Sequence, residues 1–231
     1  MSFLKITLST IILLLLFSCK PSELLTSQKK ENLKKNYLEG NSIVLYEGIN
    51  DSVFVNLKSF SSNFILDMKY ATSDNFLKNK VYDCESCFLR LKTVKKLIEA
   101  SNEFNSLGYS IKIFDCYRPL DIQKKMWEIV PNADYVADPK KGSIHNRGGA
   151  IDITLLDSEG KELDMGTTFD FFGPEASHKY KEFPSTILKN RALLKKIMLK
   201  HNFKSFESEW WHYNLSESYK DKLANFKWNC D

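Results

Sequence analysis

The spacing of apolar residues along the chain predicts three helices. Residues 88–107 carry apolar side chains at helical intervals, and Gly108 follows where the residue that ends a helix is expected. A second helix is predicted to open at Pro119 and to close before Pro131, since proline fits the first turn of a helix and disrupts its interior. Residues 191–200 are predicted to form a third, amphipathic helix.

Strands are predicted where apolar residues alternate or cluster between these helices. The predicted strands and β-rich segments are residues 53–68, 111–117, 150–155 and 211–215. In the second of them the alternation places Asp115 on the same face as Ile111 and Ile113. Helices mixed with mainly antiparallel strands, without a strict strand–helix alternation, predict a single α+β domain with a small mixed sheet flanked by helices.

The N-terminal segment is predicted to be a signal peptide, residues 1–18, that takes no part in the fold. Lys5 supplies a positive start, and the apolar run 6–17 is shorter than the roughly 20 residues of a membrane-spanning helix. Ser18 then precedes Cys19, a pattern that resembles the lipobox of bacterial lipoproteins. The resemblance implies cleavage before Cys19 and lipidation of its sulfur; ordinary secretion is the alternative.

Composition and charge indicate a tethered domain. Residues 19–40 are polar and predict a lipidated cysteine with a flexible tether, which leaves residues 41–231 for the domain. The 33 basic and 29 acidic residues give a net charge of only +4, and the lysines are scattered. We therefore expect no nucleic-acid partner and a membrane contact only through the lipid anchor. The predicted location is the cell envelope, on the periplasmic side of a membrane.

Four further cysteines are expected to be oxidised in such a compartment. They are Cys84, Cys87, Cys116 and Cys230. An even number of cysteines in an exported domain favours disulfides, and four of them allow three pairings. The segment Cys84-Glu-Ser-Cys87 is also compatible with a redox or zinc motif, although no second matching pair accompanies it. Free thiols are the third alternative.

The first segment with candidate chemistry leads from a turn into an apolar strand. His145 is followed by Gly148 and Gly149, which allow a tight turn before the predicted strand 150–155. In that strand Asp152 faces away from the isoleucines, and a carboxylate in such surroundings is costly to bury unless it is paired or binds a metal. His145 and Asp152 are therefore candidates to coordinate one ion.

The second segment supplies a third candidate ligand. His212 follows the carboxylate of Glu209 by three residues. Two histidines and one carboxylate, with a fourth position open for water, are the composition of a catalytic zinc site. The two segments together predict one Zn²⁺ per chain, held on the sheet by His145, Asp152 and His212.

Several separated motifs, taken in order, resemble the D-Ala-D-Ala dipeptidases of the VanX type, which are relatives of the zinc D-Ala-D-Ala carboxypeptidases. The resemblance runs from about Leu66 to the C-terminus. The motifs are Lys69-Tyr70-Ala71-Thr72-x-Asp74-Asn75-Phe76, Asp115-x-Tyr117-Arg118-Pro119, Ser143-x-His145-x-x-Gly148-x-Ala150-x-Asp152, Phe169-Asp170-Phe171 and Glu209-x-Trp211-His212.

The resemblance implies zinc-dependent hydrolysis of the dipeptide D-Ala-D-Ala and a role for each matching residue. The three candidate ligands would bind zinc. Glu209 would act as the general base and then as the general acid, and Arg118 would stabilise the oxyanion. The ends of the small zwitterionic substrate would be held by Asp170, Ser143 and Tyr70.

The sequence is also compatible with two other functions. A carboxypeptidase of the same fold would trim longer stem peptides, and capture of a free substrate amine by Asp170 would distinguish a dipeptidase from it. A non-catalytic wall-binding lipoprotein is the other, although the presence of Glu209 and Arg118 argues against it. His178 and His201 match no motif and are expected to be surface or core residues.

Overall fold

The structure, a computed structural model, describes Tyr46 and residues 48–230, and these residues form seven strands and three α-helices. The strands are β1 (Phe54–Asn56), β2 (Ile65–Leu66), β3 (Phe88–Arg90), β4 (Ser110–Asp115), β5 (Ala150–Leu156), β6 (Phe203–Phe206) and β7 (Glu209–Leu215). The helices are α1 (Leu91–Ser106), α2 (Leu120–Ile129) and α3 (Ser185–Lys200).

A five-stranded mixed sheet lies at the centre of the fold. Its strand order is β2-β4-β5-β7-β6, with a parallel pair between β2 and β4 and antiparallel pairs elsewhere. Helices α1 and α3 contact each other, and they pack against β4 and against β6 and β7 respectively. Strands β1 and β3 form a separate antiparallel pair. The predicted α+β fold with a mixed, mainly antiparallel sheet is confirmed.

The helices differ from the prediction mainly in where they begin. The first three residues of the predicted segment 88–107 form β3, because Leu89 pairs with Val55 on β1 and is fully buried. Gly108 follows α1 with a left-handed φ of 83°, as its position predicted. Helix α3 begins at Ser185. Its first six residues were not predicted to be helical, because residues 185–190 are mostly polar. Strand β6 was not predicted.

A bulge in β4 corrects the predicted placement of Asp115. Ile113 pairs with Ile153 of β5, whereas Asp115 pairs with Asp152, so one extra residue lies between the two pairs. Because residues opposite each other in a pair share a face, the bulge turns Asp115 to the face of Asp152. The prediction that Asp115 shares a face with Ile113 is therefore wrong, and the consequence is a second buried carboxylate beside the candidate ligands.

Two disulfides confirm the expectation that the four cysteines are oxidised. Cys84 is bonded to Cys230, and Cys87 is bonded to Cys116. The two cysteines of the Cys-x-x-Cys segment therefore have different partners, which excludes their acting as one redox or zinc motif. The second bridge is completely buried and lies next to the end of β4.

Residues 221–230, here called the C-terminal segment, pack against the turn that carries His145. The ring of Phe226 stacks on Tyr117 with centroids 4.5 Å apart. The backbone N–H of Ala224 donates to the carbonyl of Asn146 at 2.8 Å. The segment is thus part of the support of this turn, and the Cys84–Cys230 bridge fixes its far end.

The predicted signal peptide, the lipidated Cys19 and the tether all lie outside the described residues. Within the described part of the chain, no helix has the length and apolar character needed to cross a membrane.

Candidate active site

The eight residues predicted to bind metal, catalyse or bind substrate line one pocket of about 570 Å³. This volume lies in the range typical of small-molecule sites. Strands β5 and β7 contribute several of its lining residues, and most of the others come from loops. The eight residues are Tyr70, Arg118, Ser143, His145, Asp152, Asp170, Glu209 and His212.

Three of these side chains converge on one point above the sheet. Asp152 pairs with His212 across β5 and β7, so both side chains project from the same face. Asp152 Oδ1 lies 3.0 Å from His212 Nδ1, and Asp152 Oδ2 lies 3.4 Å from His145 Nε2. The two ring nitrogens are 3.2 Å apart. His145, Asp152 and His212 are thus close enough to hold one metal ion.

The glycine turn brings His145 to this point. Residues His145–Arg147 form one turn of 3₁₀ helix, which Gly148 ends with a left-handed φ of 71°. A Cβ at Gly148 would lie 2.2 Å from the ring of Phe54, so a side chain there would force Phe54 or the turn to move. The predicted role of this glycine in the turn is confirmed.

The outer nitrogens of both histidines are held by acceptors. His145 Nδ1 donates to the backbone carbonyl of Cys116 at 2.6 Å, and His212 Nε2 donates to Asn214 Oδ1 at 2.9 Å. A neutral imidazole that donates from one nitrogen presents a lone pair on the other. Two lone pairs and a carboxylate therefore face one another, which is the donor set and the outer support of a metal site.

The electrostatics of the three residues also favour a positive charge at this point. Burial lowers the pKa of His212, but the hydrogen bond and charge of Asp152 outweigh it and raise that pKa to about 9. Burial alone would favour protonated Asp152, yet the two histidines hold its pKa well below the usual range. The residues present thus fit a divalent cation, which would take the position that a proton otherwise holds.

Glu209 stands beside the ligand group at the start of β7. Its Oε2 lies 3.9 Å from His212 Nδ1. Glu209 is therefore adjacent to the ligand group but is not one of its three members. Burial raises the pKa of Glu209 above that of an ordinary glutamate, and the charge of Asp152 adds to this shift. A carboxylate placed in this way can accept a proton from one group and give it to another.

Arg118 is held from behind and keeps hydrogens free for the pocket. Its Nε and Nη2 donate to Asp115 Oδ2 at 3.2 and 2.7 Å, and its Nη1 donates to Gln123 Oε1 at 3.0 Å. Tyr82 Oη donates to the other oxygen of Asp115 at 2.7 Å. A guanidinium has five N–H groups, so one hydrogen on each terminal nitrogen is left over. Arg118 can therefore donate to an anionic oxygen in the pocket.

Asp170 and Tyr70 also line the pocket, where they are hydrogen-bonded to each other. Tyr70 Oη donates to both oxygens of Asp170, at 3.2 and 3.0 Å. Asp170 has a φ of 58°, a left-handed conformation that is uncommon outside glycine and is often found at functional sites. Burial raises the pKa of its carboxyl well above the usual value, and the nearby charge of Asp152 adds to this. A cationic group that enters the pocket would stabilise the ionised form.

Ser143 lies at the start of the turn that carries His145. Its backbone N–H and its hydroxyl both donate to Asn146 Oδ1, at 2.7 and 3.2 Å. The hydroxyl lines the pocket. Aromatic rings complete the wall: Trp211 contacts Phe169 with centroids 5.5 Å apart, and Tyr135 stacks on Phe172 at 4.3 Å.

Several supporting residues were missed by the sequence reasoning. Asp115 was placed on the wrong face, since a bulge leaves no clear signal in the alternation. Asn214 follows His212 by two residues, so strand alternation alone places both on one face and was the signal available. Gln123 and Asn146 carried no recognisable signal, because each acts through a contact that only the fold creates.

The two remaining histidines lie away from the pocket. His201 Nε2 is hydrogen-bonded to Glu103 Oε2 at 2.7 Å, between α1 and α3. His178 lies beside the ring of Tyr213 with centroids 6.3 Å apart. Burial and the charges of Lys195 and Arg191 lower the pKa of His178 to about 4.

Two histidines and a carboxylate on an open α+β sheet, with a neighbouring glutamate and a buried arginine, define the site of a metal-dependent peptidase. The chain belongs to peptidase family M15, described as D-ala-D-ala dipeptidase, whose sequence model matches residues 50–229. The protein is therefore an enzyme of the metallopeptidase class.

The chain matches most of the length of several named relatives. It is 36% identical over 166 residues to the D-alanyl-D-alanine dipeptidase of Escherichia coli (strain K12), covering 71% of this chain and 86% of that protein. It is 33% identical over 185 residues to the D-alanyl-D-alanine dipeptidase of Enterococcus faecalis (strain ATCC 700802 / V583), covering 69% and 90%. The protein of the same name from Enterococcus faecium is 31% identical over 185 residues, with the same coverage.

Proposed function

We propose that this protein hydrolyses D-alanyl-D-alanine to D-alanine with the aid of one zinc ion per chain. The observation that carries the proposal is the convergence of His145, Asp152 and His212 beside Glu209, within a pocket that Asp170 also lines. The match with the chain covers 86% and 90% of the length of two relatives that are named for this activity.

Zinc is the metal that this donor set suits best. Two imidazoles whose other ring nitrogens have hydrogen-bond partners, together with a carboxylate, are typical ligands of catalytic zinc. When bound, zinc supplies a Lewis acid that makes water a nucleophile near neutral pH and polarises a carbonyl group. Metal analysis of the purified enzyme tests this assignment: we expect one zinc per chain, with activity lost to a chelator and restored by Zn²⁺.

Glu209 moves the proton. Its carboxylate takes a proton from the attacking water at Oε and later gives it to the leaving amine. The raised pKa of Glu209 makes its carboxylate a stronger base toward the attacking water than an ordinary glutamate would be.

Arg118 stabilises the negative charge that develops on the carbonyl oxygen. The free hydrogen on each of its terminal nitrogens would donate to that oxygen, while Asp115 and Gln123 hold the guanidinium still. Because Arg118 is almost completely buried, little water competes for these hydrogens.

The two ends of the dipeptide are recognised by different groups. Asp170 binds the free ammonium group of the substrate, and Tyr70 orients the side-chain carboxylate of Asp170. On substrate binding the hydroxyl of Ser143 would turn its hydrogen from Asn146 to the terminal carboxylate, while the backbone N–H of Ser143 stays on Asn146 Oδ1. A buried acidic wall selects a substrate with a free amine, because an acylated nitrogen would leave the charge of Asp170 unpaired.

A substrate panel tests the proposed function. We expect turnover of D-Ala-D-Ala, little turnover of L-Ala-L-Ala, and a large loss when the amine of D-Ala-D-Ala is acetylated. If N-acetyl-D-Ala-D-Ala is cleaved as fast as the free dipeptide, the enzyme is a carboxypeptidase and the role of Asp170 is wrong. Absence of turnover with zinc-loaded enzyme on every peptide of the panel would contradict catalysis itself.

We further propose that the enzyme acts in the cell envelope, on the periplasmic side of a membrane, and is anchored by lipid on Cys19. The apolar run that ends in Ser18-Cys19 supports this proposal. The two disulfides agree with it, since such bonds persist in oxidising compartments. Changing Cys19 to serine should move the protein from the membrane fraction to the soluble one. An unmodified Cys19 in the mature wild-type protein, measured by mass spectrometry, would contradict the anchor.

A further inference from the structure

Asn146 is completely buried, and its side chain is hydrogen-bonded to two residues of the active site. On one side its Oδ1 accepts the backbone N–H of Ser143 at 2.7 Å and the hydroxyl of Ser143 at 3.2 Å. On the other side its Nδ2 donates to the backbone carbonyl of Arg118 at 2.8 Å. This amide therefore links the turn that carries Ser143 to the segment after β4 that carries Arg118, beside the bond from the backbone N–H of Arg118 to the carbonyl of His145 at 3.2 Å.

The orientation of this amide is determined by its partners. A backbone N–H can only donate and a backbone carbonyl can only accept, so the oxygen must face Ser143 and the nitrogen must face Arg118. No other side chain of this size offers an acceptor with two lone pairs and a donor in one plane. Aspartate would keep the acceptor and lose the donor, while serine would be too short to span both partners.

The metal-ligand group does not depend on this amide. The ring of His145 is fixed by the carbonyl of Cys116, and Asp152 is fixed by its place in β5. The backbone of Asn146 has its own support, because its carbonyl accepts the N–H of Ala224 in the C-terminal segment at 2.8 Å. Loss of the side-chain amide therefore affects Ser143 and Arg118 while the ligands stay in place.

We propose that Asn146 is a positioning residue that sets the distance between Ser143 and Arg118, and thereby between the groups that bind the substrate carboxylate and the oxyanion. The proposal rests on the proposed function, in which these two residues contact opposite parts of the dipeptide. A peptide bond is attacked efficiently only when both contacts are made at once, so a change in their spacing reduces catalysis without altering the metal centre.

Two variants separate the two sides of the amide. In Asn146→Asp the bonds to Ser143 remain and an oxygen faces the carbonyl of Arg118, so we expect kcat to fall about tenfold or more with KM nearly unchanged. In Asn146→Ser both sides are lost, so kcat falls and KM for D-Ala-D-Ala rises as well. Both variants should keep the wild-type metal content per chain, which a general collapse of the turn beside His145 would reduce.

Asn225→Ala is the matched control. Asn225 also makes two hydrogen bonds, to the backbone and the side chain of Asp121, but it lies outside the pocket. We expect its kcat and KM to equal those of the wild type.

A double-mutant cycle tests whether Asn146 acts through Ser143. In a Ser143→Ala background, Asn146→Ser should raise KM by a smaller factor than it does in the wild type.

The outcomes that reject the proposal differ from those that reject the proposed function. If wild-type enzyme does not cleave D-Ala-D-Ala, the proposed function fails. If the wild type is active and both Asn146 variants keep kcat and KM within about twofold, Asn146 has no positioning role. Loss of metal in parallel with activity in both variants would also overturn the proposal, since it would make Asn146 a structural support of His145.

Discussion

Two histidines on opposite sides of strand β7 have pKa values that are shifted in opposite directions. On the pocket side, the contacts of His212 with Asp152 overcome the effect of burial and raise its pKa to about 9. On the other side, next to the ring of Tyr213, burial and the charges of Lys195 and Arg191 lower the pKa of His178 to about 4. Both residues are partly buried, so burial alone does not explain the difference.

The difference shows what distinguishes a site from a buried polar residue. The pocket side collects groups that carry lone pairs or negative charge, namely Asp152, Glu209 and Asp170, and thus favours a cation. The opposite side collects cationic side chains around His178, and there the imidazole is held neutral. The sign of the surrounding charge, more than the residue type, decides which histidine can bind a metal.

The largest expected effect comes from removing a ligand on the pocket side. His145→Ala should lose bound metal and activity together, because only Asp152 and His212 would remain. His178→Gln is the matched change on the other side and should retain both. Metal content and turnover of D-Ala-D-Ala measure the effect. A His145→Ala protein that keeps metal and activity would show that the ligand assignment is wrong.

Glu209→Gln separates proton transfer from metal binding. We expect activity to fall by about 10²–10⁴, the range for losing a general acid–base group, while metal content and thermal stability stay near those of the wild type. Glu207→Gln is the control, since Glu207 does not line the pocket. The assignment fails if Glu209→Gln keeps most of its turnover or if Glu207→Gln is the inactive variant.

The same residue gives a pH dependence. Glu209 accepts the proton only when it is ionised, and burial raises its pKa above the ordinary 4.5. We therefore expect kcat/KM of the wild type to rise with pH through a midpoint above 4.5, the ordinary glutamate value. A pH–rate profile of the wild type checks this. An acid limb that lies at or below the value of an exposed glutamate would contradict the role of burial.

Asp170→Asn should weaken substrate binding on the pocket side. Losing a charge-assisted contact with the ammonium group is expected to raise KM for D-Ala-D-Ala by about 10- to 100-fold. The preference for a free over an acetylated amine should shrink by a similar factor. Asp164→Asn, at an exposed position outside the pocket, should change neither quantity. An unchanged KM in Asp170→Asn would assign amine recognition to another group.

The smallest effect concerns stability on the side away from the pocket. His178 has a pKa of about 4 in the folded protein against 6.5 as its ordinary value, so the unfolded chain takes up the proton first. Its contribution to stability is therefore complete above about pH 6.5 and is lost as the pH falls toward 4. Urea unfolding at several pH values should show a shallower acid loss for His178→Gln. Equal pH dependence in both proteins would contradict the lowered pKa.

The sequence predicted the elements and the site better than the support beneath them. Strand alternation placed Asp152 away from the isoleucines of β5, and the position of Gly148 predicted the turn. The face of Asp115 was predicted wrongly, because a bulge changes the alternation by one residue. Disulfide partners and the role of Asn146 depend on which distant segments meet, and neither periodicity nor local motifs contain that information.

The contact between Ala224 and Asn146 has a consequence for the order in which the protein folds. A ribosome makes residues 221–230 after all three candidate ligands, and the Cys84–Cys230 bond joins positions 146 residues apart. A nascent chain that has emerged only as far as β7 holds His145, Asp152 and His212, yet the turn that bears His145 still lacks its partner. Metal capture in final geometry is therefore expected late, after the segment that contains residue 224 has reached the compartment in which the protein folds.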